Sequence, residues 1–443
     1  MKKYFISGAM LAGLMSLAAC SNDEDVVADN NGAEQQFTIT LASSGDRATR
    51  AAADRTLESE AAGQSIEKVT LVVRSQDDGA DKNKVVYIHT LDNWNGTATN
   101  DDTNGHGKKL TFTIPKADKL GAGSYVVTAV GYNEGNYTLS LPNKGDVVDK
   151  NITATTPTGA EAKEVFAGEQ KFNVTADKKI EGTDASKPIQ SVDVTLHRQV
   201  AGAYGYFTSI PAKIGDTEVA SIRMVSRSKN TVLTFGSFNS SFTTTDANVM
   251  YMVNGSVPAT KTAKFLNGDE ANVLFSAQIT DWFPGGDENI DGVYDKKDTN
   301  WTNPYTTGSY LKGSVFASNF IVPFSATQGK STLELQLLDA TGNVLYAWPV
   351  KLDASNDQIS KTGETASADL FGAGTAMGFA ETADVFSLFR NHIYSIGIHK
   401  QDTTDPETPV PGTDEPTDLS KIQNVVIRVN DNWEALHHMS IDE

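Results

Sequence analysis

Asp287, Asn289, Asp291, Asp295 and Asp298 place side-chain oxygens at relative positions 1, 3, 5, 9 and 12 of one stretch, with Gly292 at position 6. Such spacing lets a loop wrap a hard cation such as Ca2+, because alternate side chains converge while the glycine permits a sharp turn. Position 12 is the shorter Asp298 in place of Glu, and Trp282-Phe283-Pro284-Gly285-Gly286 excludes an ordinary preceding helix. In so acidic a chain a plain solvated turn accounts for the same residues. A bound cation would stiffen a surface loop and would not catalyse.

The other chemistry-bearing types do not assemble into a catalytic pattern. The seven histidines form neither HExxH nor a close metal trio, and His437-His438 falls beyond the last strand pattern. Gly285-Gly286 and Gly372-Ala373-Gly374 lack the lysine and the strand-to-helix setting of a phosphate loop. There is no GxSxG elbow. The expectation is a protein that is not an enzyme and carries no resident cofactor. Trp282, Trp301 and Tyr305 would form an aromatic sugar-binding platform if exposed, and core or loop anchors if not. A formal net charge of -19 argues against nucleic acid, which needs a basic footprint.

Cys20 is the single cysteine of the 443 residues, so disulfides and cysteine-based metal sites are excluded. It ends a segment with a basic start, Lys2-Lys3, and an apolar run from Tyr4 to Ala19, too short for an ordinary membrane span of about 20 residues. This is a processed export signal. Leu17-Ala18-Ala19-Cys20 resembles the bacterial lipobox, whose cysteine is acylated, and the acidic Ser21-Asn22-Asp23-Glu24-Asp25 resembles a surface-export signal of Bacteroidetes lipoproteins. Anchoring would be acyl, not transmembrane.

The remainder reads as strands. After a polar stretch, 22–35, expected to be disordered, Phe37, Ile39 and Leu41 alternate with Thr38 and Thr40. Residues 43–63, with Arg47, Arg50 and Arg55 and almost no large apolar side chain, form an exposed connector open to a trypsin-like protease, or a simple loop. Apolar or alternating runs follow at 69–73, 84–91, 110–114, 124–132, 137–139, 161–166, 172–174 and 189–196. A second series occupies 219–225, 231–238, 273–279, 314–324, 332–338, 344–352 and 392–399, and Asp246-Ala247-Asn248 could open a short helix. No helical stripe is long enough for βαβ crossovers, so two β-sandwich-like domains in series are expected. Residues 401–418, rich in Pro, Asp, Glu and Thr, read as a stiff linker. Beyond it Ile422 to Trp433 forms one more strand, with Val425, Ile427, Val429 and Trp433 on one side and no hairpin partner beside it. It must enter some sheet, either its own domain's or a neighbouring molecule's.

The order of these features resembles the fimbrillins of Bacteroidetes, the major fimbrial subunit family. The matching residues are Leu17 to Cys20, Phe37 to Leu41, Arg47 to Arg55, Val194-Thr195-Leu196-His197-Arg198-Gln199-Val200-Ala201, Arg390 to Ile396 and Val425 to Trp433. The resemblance implies two tandem transthyretin-like domains and a lipoprotein precursor at the outer membrane and cell surface. It implies maturation by an arginine-specific protease that follows Arg47 or Arg50, with Arg55 the third choice. Phe37, Ile39 and Leu41 would be a temporary plug strand. Ile422, Val425, Ile427, Val429 and Trp433 would be a donor strand for another copy or a related fimbrial subunit. The implied division is 1–19 signal peptide, 20–50 lipidated propeptide, 51–200 and 201–400 β domains, 401–418 linker and 419–443 donor strand. The expected function is a structural subunit of a surface fimbria that polymerises by strand exchange and contributes to adhesion and biofilm formation. A monomeric surface lipoprotein binding glycan or protein ligands is the alternative, and a glycoside-active sandwich enzyme comes third.

Overall fold

The computed structural model describes residues 34–41, 66–100, 108–148, 152–156, 162–181, 191–235, 260–261, 272–305, 309–324, 326, 329, 331–352, 382–388, 390, 393–399, 414–421 and 425–430. Cys20, Arg47, Arg50, Arg55, Ile422 and Trp433 lie outside them, as do residues 246–248.

The first domain contains β1 (Gln36–Leu41), β2 (Lys68–Ser75), β3 (Val85–Leu91), β4 (Lys108–Thr113), β5 (Gly123–Tyr132), β6 (Thr138–Ser140), β7 (Ile152–Thr155), β8 (Phe166–Val174) and β9 (Ser191–Arg198). Its main sheet runs β3-β2-β5-β8-β9-β1-β4. Inward-facing Leu71, Val73, Val127, Ala129, Val192, Val194 and Leu196 make one core. Val72 and Val130, on the opposite face, enter a second cluster with residues of both domains. Burial on both faces is why β2 and β5 read as unbroken apolar runs and not as alternation.

The second domain contains β10 (Ala201–Thr208), β11 (Ser221–Ser226), β12 (Val232–Phe235), β13 (Asn272–Gln278), β14 (Ser314–Ile321), β15 (Leu333–Leu338), β16 (Val344–Leu352), β17 (Ile393–Ile396) and β18 (Val425–Asn430). Its sheet runs β13-β11-β15-β16-β18-β17-β10-β14 around a core that includes Ile222, Met224, Leu335, Leu337, Trp348 and Val350. The chain is all-β, with only short helical turns among the described residues.

Three differences from the sequence reading have physical causes. The small-residue run Ala201-Gly202-Ala203-Tyr204-Gly205 forms a buried strand because its neighbours β14 and β17 supply the side-chain volume. Of the strand expected at 161–166, the described residues 162–165 form none: Ala162 makes an isolated bridge to Phe320 of the second domain, and β8 begins at Phe166. Residues 414–419, at the end of the expected linker, are pinned, with Asp414 and Glu415 paired to His399 and Ile398 and Leu419 buried.

The domains are joined by more than the β9–β10 connection. β7 of the first and β12 of the second pair antiparallel, Ile152 opposite Phe235, in one small sheet with β6. At the junction the fully buried Arg198 donates to Glu164 Oε1 from Nη2 at 2.6 Å and from Nε at 2.9 Å, and lies 5.0 Å from the Phe166 ring centre. Gln199 Oε1 accepts from Arg390 Nη1 at 2.9 Å. Arg198 and Glu164 thus pin the end of the first domain, and the adjacent Gln199 ties it to Arg390 of the second.

Gly168 permits the close crossing of β8 and β9, since a Cβ there would stand 2.0 Å from the Thr195 carbonyl oxygen. Backbone cannot yield as a side chain can. Gly168→Ala should therefore cost at least the 1–3 kcal/mol or so usual for overpacking, read as a lower denaturation midpoint.

Candidate functional site

The first and last described strands occupy equivalent places. β1 lies between β9, to which it runs parallel with Phe37 opposite Val192 and Ile39 opposite Val194, and β4, antiparallel with Phe37 opposite Phe112. β18 lies between β16, parallel with Val425 opposite Val350, and β17, antiparallel with Val429 opposite Tyr394. Each is six residues long. Each is also the link that joins two halves of its sheet order, so withdrawing it would leave two unpaired strand edges facing one another.

Side chains make the β1 slot specific. Phe37 and Ile39 are fully buried, and Phe37 meets Phe172 edge-on with ring centres 5.5 Å apart. Thr38, on the other face, shares a hydrogen bond with Thr111 at 3.2 Å. Leu41 continues the pairing opposite Leu196. The expected plug residues are thus together in a sheet of the first domain.

Gln35 was read as part of a disordered stretch, yet it is fully buried. Its Nε2 donates to the carbonyls of Leu120 at 3.0 Å and Lys178 at 2.9 Å, and its Oε1 accepts from Leu120 N at 2.8 Å. A lone polar residue before a strand carries no periodic signal, so only the fold reveals this clasp.

In the second domain Val425 is fully buried in the core, and the backbone of Ile427 pairs with Leu352. The last strand is therefore seated in its own domain in this structure, the first of its two sequence-level options.

The Asp287–Asp298 loop directs its oxygens at its own backbone. Buried Asp298 accepts from the amides of Glu288 at 2.9 Å, Asn289 at 3.4 Å and Asp295 at 3.0 Å. Asp287 accepts from Gly292 N at 2.9 Å, Asn289 from Asp291 N at 2.9 Å, and Asp295 from Lys297 N at 2.7 Å. The Lys297 ammonium bonds Asp291, holding that carboxyl below its ordinary pKa while its own is raised. A cation would compete with this internal lysine. Among the described residues no three His, Cys, Asp or Glu side chains are grouped to hold a metal ion. Asp298→Ala should leave those amides unpaired at about 1–3 kcal/mol each when shielded from water, seen as faster hydrogen exchange across residues 287–298.

Trp282 is 1% exposed and packs its ring 6.2 Å from that of Trp301 and 5.6 Å from that of Tyr305. The two partners are themselves partly buried against the core, so these rings anchor the domain's interior and do not present an open platform.

No family model matches the chain. No curated protein matches it either. Its fold is similar to several solved structures. One is a candidate cell adhesion protein from Bacteroides eggerthii, at 11% identity and TM-score 0.40, covering 90% of this chain and 95% of that one. A second is a fimbrial assembly protein from Parabacteroides distasonis, at 11% identity and TM-score 0.35, covering 83% and 92%. A third is the fimbrial anchor protein Mfa2 from Porphyromonas gingivalis, at 8% identity and TM-score 0.34, covering 82% and 90%.

Proposed function

We propose that this chain is a structural subunit of a surface fimbria, exported as a lipoprotein through Cys20, that polymerises by strand exchange and serves adhesion and biofilm formation. The observation that carries the reading is the equivalence of β1 and β18: two interior strands, each flanked by one parallel and one antiparallel neighbour, one followed by an arginine-bearing connector. Cleavage after Arg47, Arg50 or Arg55 would free β1 together with its lipid. The slot left behind has apolar walls and two bare strand edges, and Val425, Ile427 and Val429 carry the alternation it takes. Val425 fills less of the Phe37 site than the phenylalanine does. An incoming strand therefore gains entry by removal of the plug and not by outcompeting it.

The partners are other copies of the chain and related subunits, a trypsin-like or arginine-specific protease, and the outer membrane through the acyl group. The seating of β18 in its own domain favours a second reading, a monomeric surface lipoprotein that binds glycan or protein ligands. The N-terminus of the protein recovered from cells separates the two. A start near Ala48 or Ala51 supports the maturing subunit, whereas an acylated Cys20 on the final product supports the monomer.

A further inference from the structure

The clasp made by Gln35 has a counterpart in the sequence at the other end of the chain. Gln35-Gln36-Phe37-Thr38-Ile39-Thr40-Leu41 and Gln423-Asn424-Val425-Val426-Ile427-Arg428-Val429 share one pattern: glutamine, a second carboxamide, then apolar residues at alternate positions with isoleucine in the middle. Residue 423 lies outside the described residues. We propose that Gln423 of a second copy takes the place of Gln35 at the mouth of the β1 slot, so that its carboxamide sets the register of the incoming strand. This rests on the strand-exchange reading.

Departure of Gln35 strips the Leu120 amide and the Leu120 and Lys178 carbonyls of their side-chain partner. Leu120 is 4% exposed with β1 in place, so a strand that closes over this mouth again without a carboxamide would shield those groups from water unpaired. A carboxamide both donates and accepts, as this mouth requires; a lysine can only donate and a carboxylate only accept.

In a strand, alternation fixes which face is buried but not which of several positions two residues apart is used. A slide by two keeps the same parity of side chains on the buried face, but puts Gln423 in the Phe37 site in one direction and Asp431 in the Leu41 site in the other. A slide in one direction puts Lys421 at the mouth, bringing a charge and no acceptor. In the other direction it puts Val425 there, with no polar atom. A slide by one presents Asn424 but turns the apolar side chains to the outer face. Gln423 alone satisfies both the mouth and the core, with Val425 in the Phe37 site and Ile427 in the Ile39 site.

The test uses the full chain nicked by limited trypsin, with assembled ladders followed by mild gel electrophoresis and their half-life measured on warming. Gln423→Met keeps the side-chain length and removes the hydrogen bonds. It should shorten the ladder half-life by about tenfold or more, the order expected for losing several buried hydrogen bonds. Asn424→Met should leave the half-life unchanged. Gln35→Met should lower the melting temperature of the uncleaved chain but not the half-life of ladders, from which β1 has gone. Unchanged melting of uncleaved Gln423→Met shows that the second domain has not been damaged. Wild-type half-life in Gln423→Met would overturn the proposal while leaving strand exchange intact, provided that deletion of 419–443 still abolishes ladders. No ladders from the nicked wild-type chain would overturn both.

Discussion

Trypsin-nicked chain is expected to form ladders that resist mild detergent, and a variant lacking residues 419–443 is expected to form none. Burying Val425, Ile427, Val429 and Trp433 in a neighbour is worth roughly 5–10 kcal/mol by per-residue transfer values, before ordering costs that remove part of it. Main-chain pairing to both β9 and β4 adds to this, because the vacated position is interior and offers two edges instead of one. The uncleaved chain should stay monomeric, since β1 occupies the slot. In the deletion variant the second domain also loses the strand that joins β16 to β17, so its melting must be followed separately. Charged substitution at Ile427 gives an independent arm with the chain length unchanged. Ladders that persist without 419–443, or a monomer after complete loss of residues up to Arg50, would defeat the exchange reading.

Glu164→Ala should be among the most damaging single changes to stability, at about 3–5 kcal/mol, because it strands a buried guanidinium without its counter-charge. Arg198 and Glu164 have side chains 0% and 1% exposed, so neither can turn to water. For a domain of this size the loss corresponds to a fall in melting temperature on the order of 10 °C. Replacing both partners, Arg198→Met with Glu164→Leu, should recover much of that loss, since two apolar side chains leave no orphaned charge. Their neighbour Gln199 is hydrogen-bonded to Arg390 across the junction, so the single variant should also loosen the domains, visible as new protease cleavage near residue 200. A Glu164→Ala protein that melts like the wild type, or a double variant no better than the single, would show that the pair does not hold the junction.

Local chemistry made much of this architecture legible. Val69 to Val73, Leu333 to Leu338 and Phe37 to Leu41 announce strands through β-branched residues and apolar spacing. The acidic loop was legible as a turn. Its allegiance was not, because spacing of oxygens is the same whether they face a cation or the loop's own amides, and the Lys297 and Asp298 contacts that distinguish the two depend on the folded path.

Gln35 shows the limit more sharply. Its three hydrogen bonds reach residues 85 and 143 positions away, and no neighbour in sequence hints at them. Composition and alternation determined that the chain is all-β, carries one cysteine behind a short apolar run and holds a last strand with no hairpin partner beside it. Which sheet each strand enters, between which neighbours and with what polar fastening, was decided only in three dimensions. Strand propensity is local, whereas pairing is a contest among distant edges that sequence order does not rank.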